Sequence, residues 1–595
     1  MGKYNPPIRD MHFVLHELLN VEARFAQMPP YQDLDAATID QVLIEAGKFC
    51  SEILQPLNLS GDREGCTRES AGEVRTPSGF KEAYRQYMEG GWPALTCSAD
   101  FGGQALPQAV GNAVTEMMCA ANQAWSAYPI LSHGAYNCLH EHASDELKRS
   151  YLPKLVSGEW AGTMCLTEAH CGSDLGLLRT RAEPSEDGSY RITGTKIFIS
   201  GGEHDLTDNI LHLVLARMPD APPGSKGISL FLVPKFLLDD PGKPTVRNSV
   251  QCGAIEEKMG IHGNSTCVMN FDGARGWLVG EKNKGLNAMF VMMNASRLAV
   301  TVQTVGLSDF VYQQSAAYAK ERLQMRSGSG PKFPQYSADP IIVHPDVRRM
   351  LLTQRAYTEG GRALTAWIAV LADEEASHGD RARRADAAAR VALLTPVAKA
   401  FLTDNAFEST NLGMQVFGGH GYIVESGIEQ YVRDARISQL YEGTNGIQAL
   451  DLVNRKVVKD GATALNRLFD EIEGFALACS ADVDMAQFSR SLLVALAQAR
   501  SVTGIILDGA SENPDSVGAA AVHYARVIGH LLLGYLWAQM ARIALAQTGS
   551  SDRFYSTKLA TARFYFTRLL PEISYQIEII GTGPECLMEV DDESF

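Results

Sequence analysis

No two of the 11 cysteines form a CxxC pair and nothing resembles a zinc framework, so no metal site is expected. An odd number of scattered cysteines reads instead as reduced, buried thiols, the usage expected of a cytoplasmic protein. Basic residues are in deficit. Lys and Arg number 53 against 69 Asp and Glu, for a formal charge of −16. Nonspecific nucleic-acid binding is therefore not expected, and an anionic substrate needs locally placed Arg, Lys or helix N-termini. No GxGxxG follows a predicted strand, which disfavours a Rossmann site. The first twenty residues hold no long apolar run, so no signal peptide is expected. The most apolar late stretch, Val527 to Met540, is interrupted by Gly529, His530 and Gly534, which reads as a buried core helix and not a transmembrane segment.

The 595 residues are 45% hydrophobic and 21% charged, enough for large cores and for two to four domains. Apolar residues recur at helical spacing from Met11 to Leu19 and from Ile39 to Leu54, while Gly90 to Pro107 reads as a long loop. Tyr190–Ile199, Ile210–Ala216, Ile228–Val233 and Cys267–Phe271 have strand character, which predicts a small antiparallel β domain. Helix resumes near Gly285, with Ala288, Val291, Met292 and Ala295 on one face and Asn294 and Arg297 on another. Ser327 to Pro340 breaks the pattern. Asp373 to Arg390 reads as a solvated loop and helix face, and Val397 to Phe417 as a helix capped by Gly418-Gly419. The rest is helical, with a loop-like interruption from Asp508 to Ser516. The expected fold is α+β, in four segments: helical 1–160, β 161–283, helical 284–455, and a helical extension 456–595.

Four segments carry chemistry: Met164-Cys-Leu-Thr-Glu-Ala-His-Cys-Gly-Ser-Asp174, Lys196-Ile-Phe-Ile-Ser200, Gln415-Val-Phe-Gly-Gly-His-Gly-Tyr422, and Arg433 through Tyr441-Glu-Gly-Thr-Asn445 to Gln448. In this order, flanking a β region, they resemble the acyl-CoA dehydrogenase family. The resemblance runs from the N-terminal helices to about Arg455. It implies that family's fold of helical domain, β domain and helical bundle, with FAD as cofactor.

Removing a proton α to a thioester needs a carboxylate at the carbon and hydrogen-bond donors on the carbonyl oxygen. Glu442 sits in a Tyr-Glu-Gly-Thr run where Gly443 permits an unusual backbone angle and Thr444 can cap a helix beginning at Asn445. By resemblance Glu442 is the catalytic base, and Tyr441, Gly443, Ser173 and Arg297 lie on the substrate side. Some relatives place the base immediately before the helix arginine matching Arg297. Here that position is Ser296, which favours Glu442.

The resemblance assigns flavin contacts to Thr167, Ser173, Phe198, Ser200, Arg322, Gln324, Gln415, Gly418, Gly419, Thr444 and Gln448. Phe198 and Ser200 stand where the family commonly has Trp and Thr: Phe keeps an aromatic wall, and Ser keeps a hydroxyl. Taken alone, Phe198 and Ser200 also fit ordinary strand alternation, the glycine pair also fits a helix cap, and Arg297 also fits a surface position. Arg433, Asp434 and Arg436 read as a structural ion-pair cluster, and His420 and Cys171 are assigned no chemistry.

The extension, the opening Tyr4-Asn-Pro-Pro-Ile-Arg-Asp-Met-His-Phe13 and Ile199-Ser-Gly-Gly-Glu-His-Asp205 resemble a bacterial subgroup that includes 3-methylmercaptopropionyl-CoA dehydrogenases. This implies a short or medium acyl chain, a homodimer, and an electron-transfer flavoprotein as acceptor. An acyl-CoA oxidase and a non-catalytic acyl-CoA-binding relative are the alternatives.

Overall fold

A computed structural model describes residues 2–240, 243–547 and 551–595. They form two compact units, Ala46–Ala299 and a second built from Met1–Glu45 with Val300–Phe595.

In the contiguous unit, helices Gln108–His142 and Asp145–Val156 accompany a seven-stranded sheet. Five strands pair in a ring: Thr266–Val279, Tyr190–Ser200, Arg181–Pro184, Asn209–Arg217 and Ile228–Pro234, the last returning to the first. Closure shields the ring strands, while Val250–Ile255 and Trp160–Cys165 each pair with it on one side only and remain edge strands. Asn209–Arg217 and Ile228–Pro234 are almost wholly buried, because their two faces serve two cores. Leu211, Leu213 and Leu215 join Ala135, Trp160 and Met292, whereas Val214 and Ala216 join Ile192, Phe231 and Val233. This is the period-two alternation of a strand used on both sides. Most of these strands pair antiparallel, as expected of the β domain, and two pairings are parallel. Trp160–Cys165 runs parallel to Asn209–Arg217, because the chain between them is long enough to cross over and return in the same direction. The 35-residue helix Gln108–His142 is kinked at Asn122 (φ −159°, ψ 91°), whose Oδ1 accepts the Trp125 N–H at 3.1 Å, an internal cap. The glycine-rich stretch from Gly90 to Pro107 is irregular apart from two short turns, Trp92–Ala94 and Ala99–Phe101.

The second unit is helical among its described residues. Long helices Pro345–Ser377 and Arg381–Phe417 pack against each other and against Pro514–Ala546. Pro514–Ala546 is its central rod: Leu531, Leu533, Trp537 and Met540 are fully buried, and Trp537 Nε1 donates to Ala356 O at 3.2 Å. Gly529 is there for contact, since a Cβ would lie 2.3 Å from the Phe401 ring. Two helices of this unit, Ala486–Glu512 and Pro514–Ala546, have the length and composition of a membrane span, and the apolar window of the second is 72% buried within the protein.

Three sequence expectations are corrected. The helix ending at Phe417 begins at Arg381, not Val397, and runs through Pro396. Between Asp373 and Arg390 the chain is helical except for a short break at 378–380, and Asp373 is buried. The interruption near Asp508 shrinks to Asn513, which caps the next helix by accepting from Asp515 N at 3.0 Å ahead of Pro514 at its first position.

Candidate active site

Glu442 has φ 57° and Gly443 φ 83°, so two successive residues are left-handed before Thr444. For a non-glycine residue that conformation costs about 1–2 kcal/mol, and it persists only where the surroundings fix it. They do. Lys399, fully buried, donates from Nζ to Gly443 O at 2.7 Å and to Asn445 Oδ1 at 2.9 Å. Asn445 Nδ2 donates to Thr403 Oγ1 and Asp404 Oδ1, at 2.9 and 2.7 Å. Gln448, buried, donates to Glu442 O at 3.1 Å. A Cβ on Gly443 would meet Gln448 Nε2 at 2.6 Å, so glycine is required here for space as well as angle. Thr444 caps helix Asn445–Asp451, its Oγ1 accepting from Ile447 N at 3.3 Å. Tyr441 donates its hydroxyl to Gln303 at 2.6 Å. The outcome is a rigid turn that presents a half-buried glutamate.

In the contiguous unit, Phe198 departs from strand alternation. Its φ is 60°, the pairing with Thr266–Val279 slips around it, and its ring is 59% exposed. The strand thus bulges at a large, exposed aromatic held in a left-handed conformation. Close by in the chain, Thr167 O accepts from Ile197 N at 2.9 Å, which joins the Thr167 loop to this strand. The joint is reinforced by a buried ion pair. Lys196 Nζ donates to Glu168 Oε1 at 2.8 Å and to Leu166 O at 2.9 Å. Burial pushes the Glu168 carboxyl up, but Lys196, the Thr180 hydroxyl and the Arg179 N–H override it and hold it at about 2. The hydroxyls of Thr167, Ser173 and Ser200 make no hydrogen bond among the described residues. Arg297, half-buried, donates to Asn294 Oδ1 at 3.3 Å.

The remaining candidates belong to the second unit. Arg322, Gln324, Gln415, Gly418 and Gly419 are exposed, and the Arg322 guanidinium has no ion pair among the described residues. Gly418 ends helix Arg381–Phe417 with φ 59°, and a Cβ on Gly418 or Gly419 would meet nothing within 4 Å. The protein's own packing thus leaves a bare backbone there, suited to close approach of a dinucleotide. Gln448 Oε1 is buried without a hydrogen bond among the described residues. Arg433 donates to Glu429 at 3.0 Å, and Arg436 lies over the Phe407 ring, so both have structural contacts. His420 bonds the Tyr318 hydroxyl, and burial raises the Cys171 thiol. Lys399 and the Lys196–Glu168 pair escaped the sequence reading.

Four family profiles match in succession: acyl-CoA dehydrogenase N-terminal domain over 48–159, middle domain over 163–274 and C-terminal domain over 283–457, then acetyl-CoA dehydrogenase C-terminal like over 468–591. The chain belongs to the acyl-CoA dehydrogenase family. It is thus an FAD-dependent oxidoreductase acting on the CH–CH bond of acyl-CoA thioesters. It is 41% identical to the 3-methylmercaptopropionyl-CoA dehydrogenase of Ruegeria pomeroyi over 98% of this chain and 99% of that one. It is 33% identical to the broad-specificity linear acyl-CoA dehydrogenase FadE5 of Mycobacterium tuberculosis over the full length of both. Among solved structures, ACDH-11 of Caenorhabditis elegans in complex with C11-CoA superposes with TM-score 0.78 at 19% identity, covering 100% of this chain and 97% of that one. An acyl-CoA dehydrogenase of Bacillus anthracis complexed with FAD gives 0.75 at 21%, covering 96% and 91%.

Proposed function

We propose that this enzyme oxidises a short or medium acyl-CoA to its trans-2-enoyl-CoA, with Glu442 as base and 3-methylmercaptopropionyl-CoA as the first candidate substrate. The observation that carries the catalytic assignment is the Glu442 turn: a carboxylate on a left-handed non-glycine backbone, fixed from behind by Lys399 and Gln448. The substrate reading is supported by the full-length likeness to the Ruegeria enzyme.

Glu442 removes the α proton, and its backbone N–H donates to the thioester oxygen, where negative charge develops as the proton leaves. Thr167, Ser173, Phe198, Ser200, Thr444 and Gln448 would contact the flavin, and Arg322, Gln324, Gln415, Gly418 and Gly419 would supply donors and bare backbone to its pyrophosphate and adenosine. Bound FAD supplies the acceptor for the β hydride, which no side chain can provide. Arg297, Tyr441 and Gly443 shape the substrate side. An electron-transfer flavoprotein then takes the electrons, and the working form is a homodimer.

The test is an anaerobic titration of the oxidised flavoprotein with 3-methylmercaptopropionyl-, butyryl- and octanoyl-CoA. Bleaching by the first at the lowest concentration, abolished in Glu442→Gln, is expected. Bleaching by butyryl- or octanoyl-CoA alone moves the substrate assignment, and bleaching that survives Glu442→Gln rejects the base. Peroxide formed in stoichiometric amounts under air makes the protein an oxidase.

A further inference from the structure

We propose that His12, His16 and Asp40 form a binding site for a divalent transition cation of the zinc class. His12 and His16 lie one turn apart where helix Ile8–His12 continues into the π-helical Phe13–Leu18, with ring centroids 4.6 Å apart. Helix Ala36–Phe49 brings Asp40 between them. One carboxylate oxygen lies 3.0 Å from His12 Nδ1, and the other lies 3.3 Å from His16 Nε2. Ligand atoms of the three residues all fall within 4.8 Å of one another. A tetrahedral cation with bonds of about 2.0–2.1 Å separates its ligands by about 3.3 Å, so the three atoms already stand close to the edges of such a tetrahedron.

The decisive group is His16. Its side chain is only 8% exposed, and Nε2 is buried facing Asp40 without a hydrogen bond among the described residues. Its other nitrogen, Nδ1, bonds the Glu22 carboxylate. A proton held there by Glu22 leaves the Nε2 lone pair directed at the site, the arrangement by which an outer carboxylate orients a metal-bound imidazole. A doubly protonated imidazole held only as an ion-pair partner would have a hydrogen bond at both nitrogens. His12 and Asp40 are 37% and 28% exposed, which provides a route for the ion and room for a water as fourth ligand. Two imidazoles and one carboxylate favour zinc-class ions over calcium or magnesium, which take mainly oxygen. The sequence reading expected no metal because it looked for a cysteine framework, whereas these ligands are two histidines and an aspartate from another helix. A second convergence, Glu168 with His170 and Cys171, is unsuitable: Glu168 is spent on Lys196, whose ammonium would repel a cation.

The bound ion ties the segments around His12, Glu22 and Asp40 together. The test uses the full-length flavoprotein, stripped with chelator and titrated with Co(II), read beyond the absorption of oxidised flavin. One equivalent with the intense bands of a four-coordinate ion, displaced by Zn(II), is expected. X-ray absorption of the zinc form should show nitrogen and oxygen ligands with imidazole scattering and no sulfur. His16→Asn should abolish binding, Glu22→Gln should weaken it about 10–100-fold, and Cys171→Ser should leave it intact. No bound cobalt, a sulfur ligand, or binding unchanged in His16→Asn overturns the site. The zinc-form spectrum decides the matter even if the His16 variant misfolds.

Discussion

Each of the two compact units buries charge, in different ways. In Ala46–Ala299, Lys196 and Glu168 form a pair beside unspent hydroxyls and the left-handed Phe198. In the other unit, Lys558 pairs with Asp10 and with Glu359 (2.6 Å), while Arg362 pairs with Asp10 and with Asp309 (3.1 Å). The first arrangement ties a loop to a strand and leaves the Thr167, Ser173 and Ser200 hydroxyls without a hydrogen bond among the described residues. In the second, the charges are spent on one another across segments distant in the chain. In the first unit buried charge stands next to strain and idle hydroxyls, as the proposed flavin contacts require, whereas in the second it is mutually satisfied and marks a seam.

The largest effect that sharpens this contrast is at the strained turn. Glu442→Gln should slow anaerobic flavin reduction by about 10²–10⁴-fold and leave the urea midpoint unchanged. Lys558→Met should do the reverse. It strands carboxylates in a dry interior and should cost about 3–5 kcal/mol in urea unfolding, with an unchanged reduction rate per folded molecule. An unchanged midpoint would show that the seam contributes no stability.

Acid should separate the units more gently. In Ala46–Ala299, burial lowers His133 to about 4 and, with nearby cations assisting at the other two, His204 and His212 to about 3. These rings stay neutral when folded, so below about 6.5 only the unfolded chain takes up protons. Their contribution is complete above pH 6.5 and is lost as pH falls toward 3. The Glu168 contribution is lost later, as pH falls from 4.5 to about 2. Asp309 has the opposite sign. Burial, only partly offset by Arg362, raises it to about 6, so its cost appears as pH climbs from 3.8 through 6. His530, also lowered by burial, shares the sign of the other histidines but stands in the second unit. Hydrogen exchange at pH 7 and pH 5 should therefore show protection falling more in Ala46–Ala299 than in the second unit. Equal loss would refute the distinction.

The smallest expected effect is at the bulge. Phe198→Gly relieves a left-handed phenylalanine but adds freedom to the unfolded chain. Stability should rise by less than about 1 kcal/mol while the bound flavin spectrum shifts. A shift in stability alone would remove Phe198 from the flavin face.

Much of this was legible in the residues. Period-two runs located the strands, and Thr444 announced the cap that the structure shows. The left-handed angles of Glu442 and Phe198 were hidden because, among residue types, only glycine advertises positive φ. Lys196 was hidden because a lysine in a strand signals solvent until its partner, Glu168, is found in a separate loop. Asp373 misled for the same reason, and Pro396 because proline in sequence signals a break that long-range packing can override.

The division of the chain also orders its synthesis in time. Ala46–Ala299 is continuous and can close once its own residues have emerged, whereas the segment that precedes it belongs to a unit completed much later. Glu17 accepts from the Tyr555 hydroxyl at 2.8 Å across 538 residues. At roughly 5–20 residues per second, a ribosome takes about half a minute to two minutes to deliver that partner. Throughout that interval the early helices, with Phe13, Val14 and Leu15 destined for full burial, must wait without their final cover, a natural station for a chaperone.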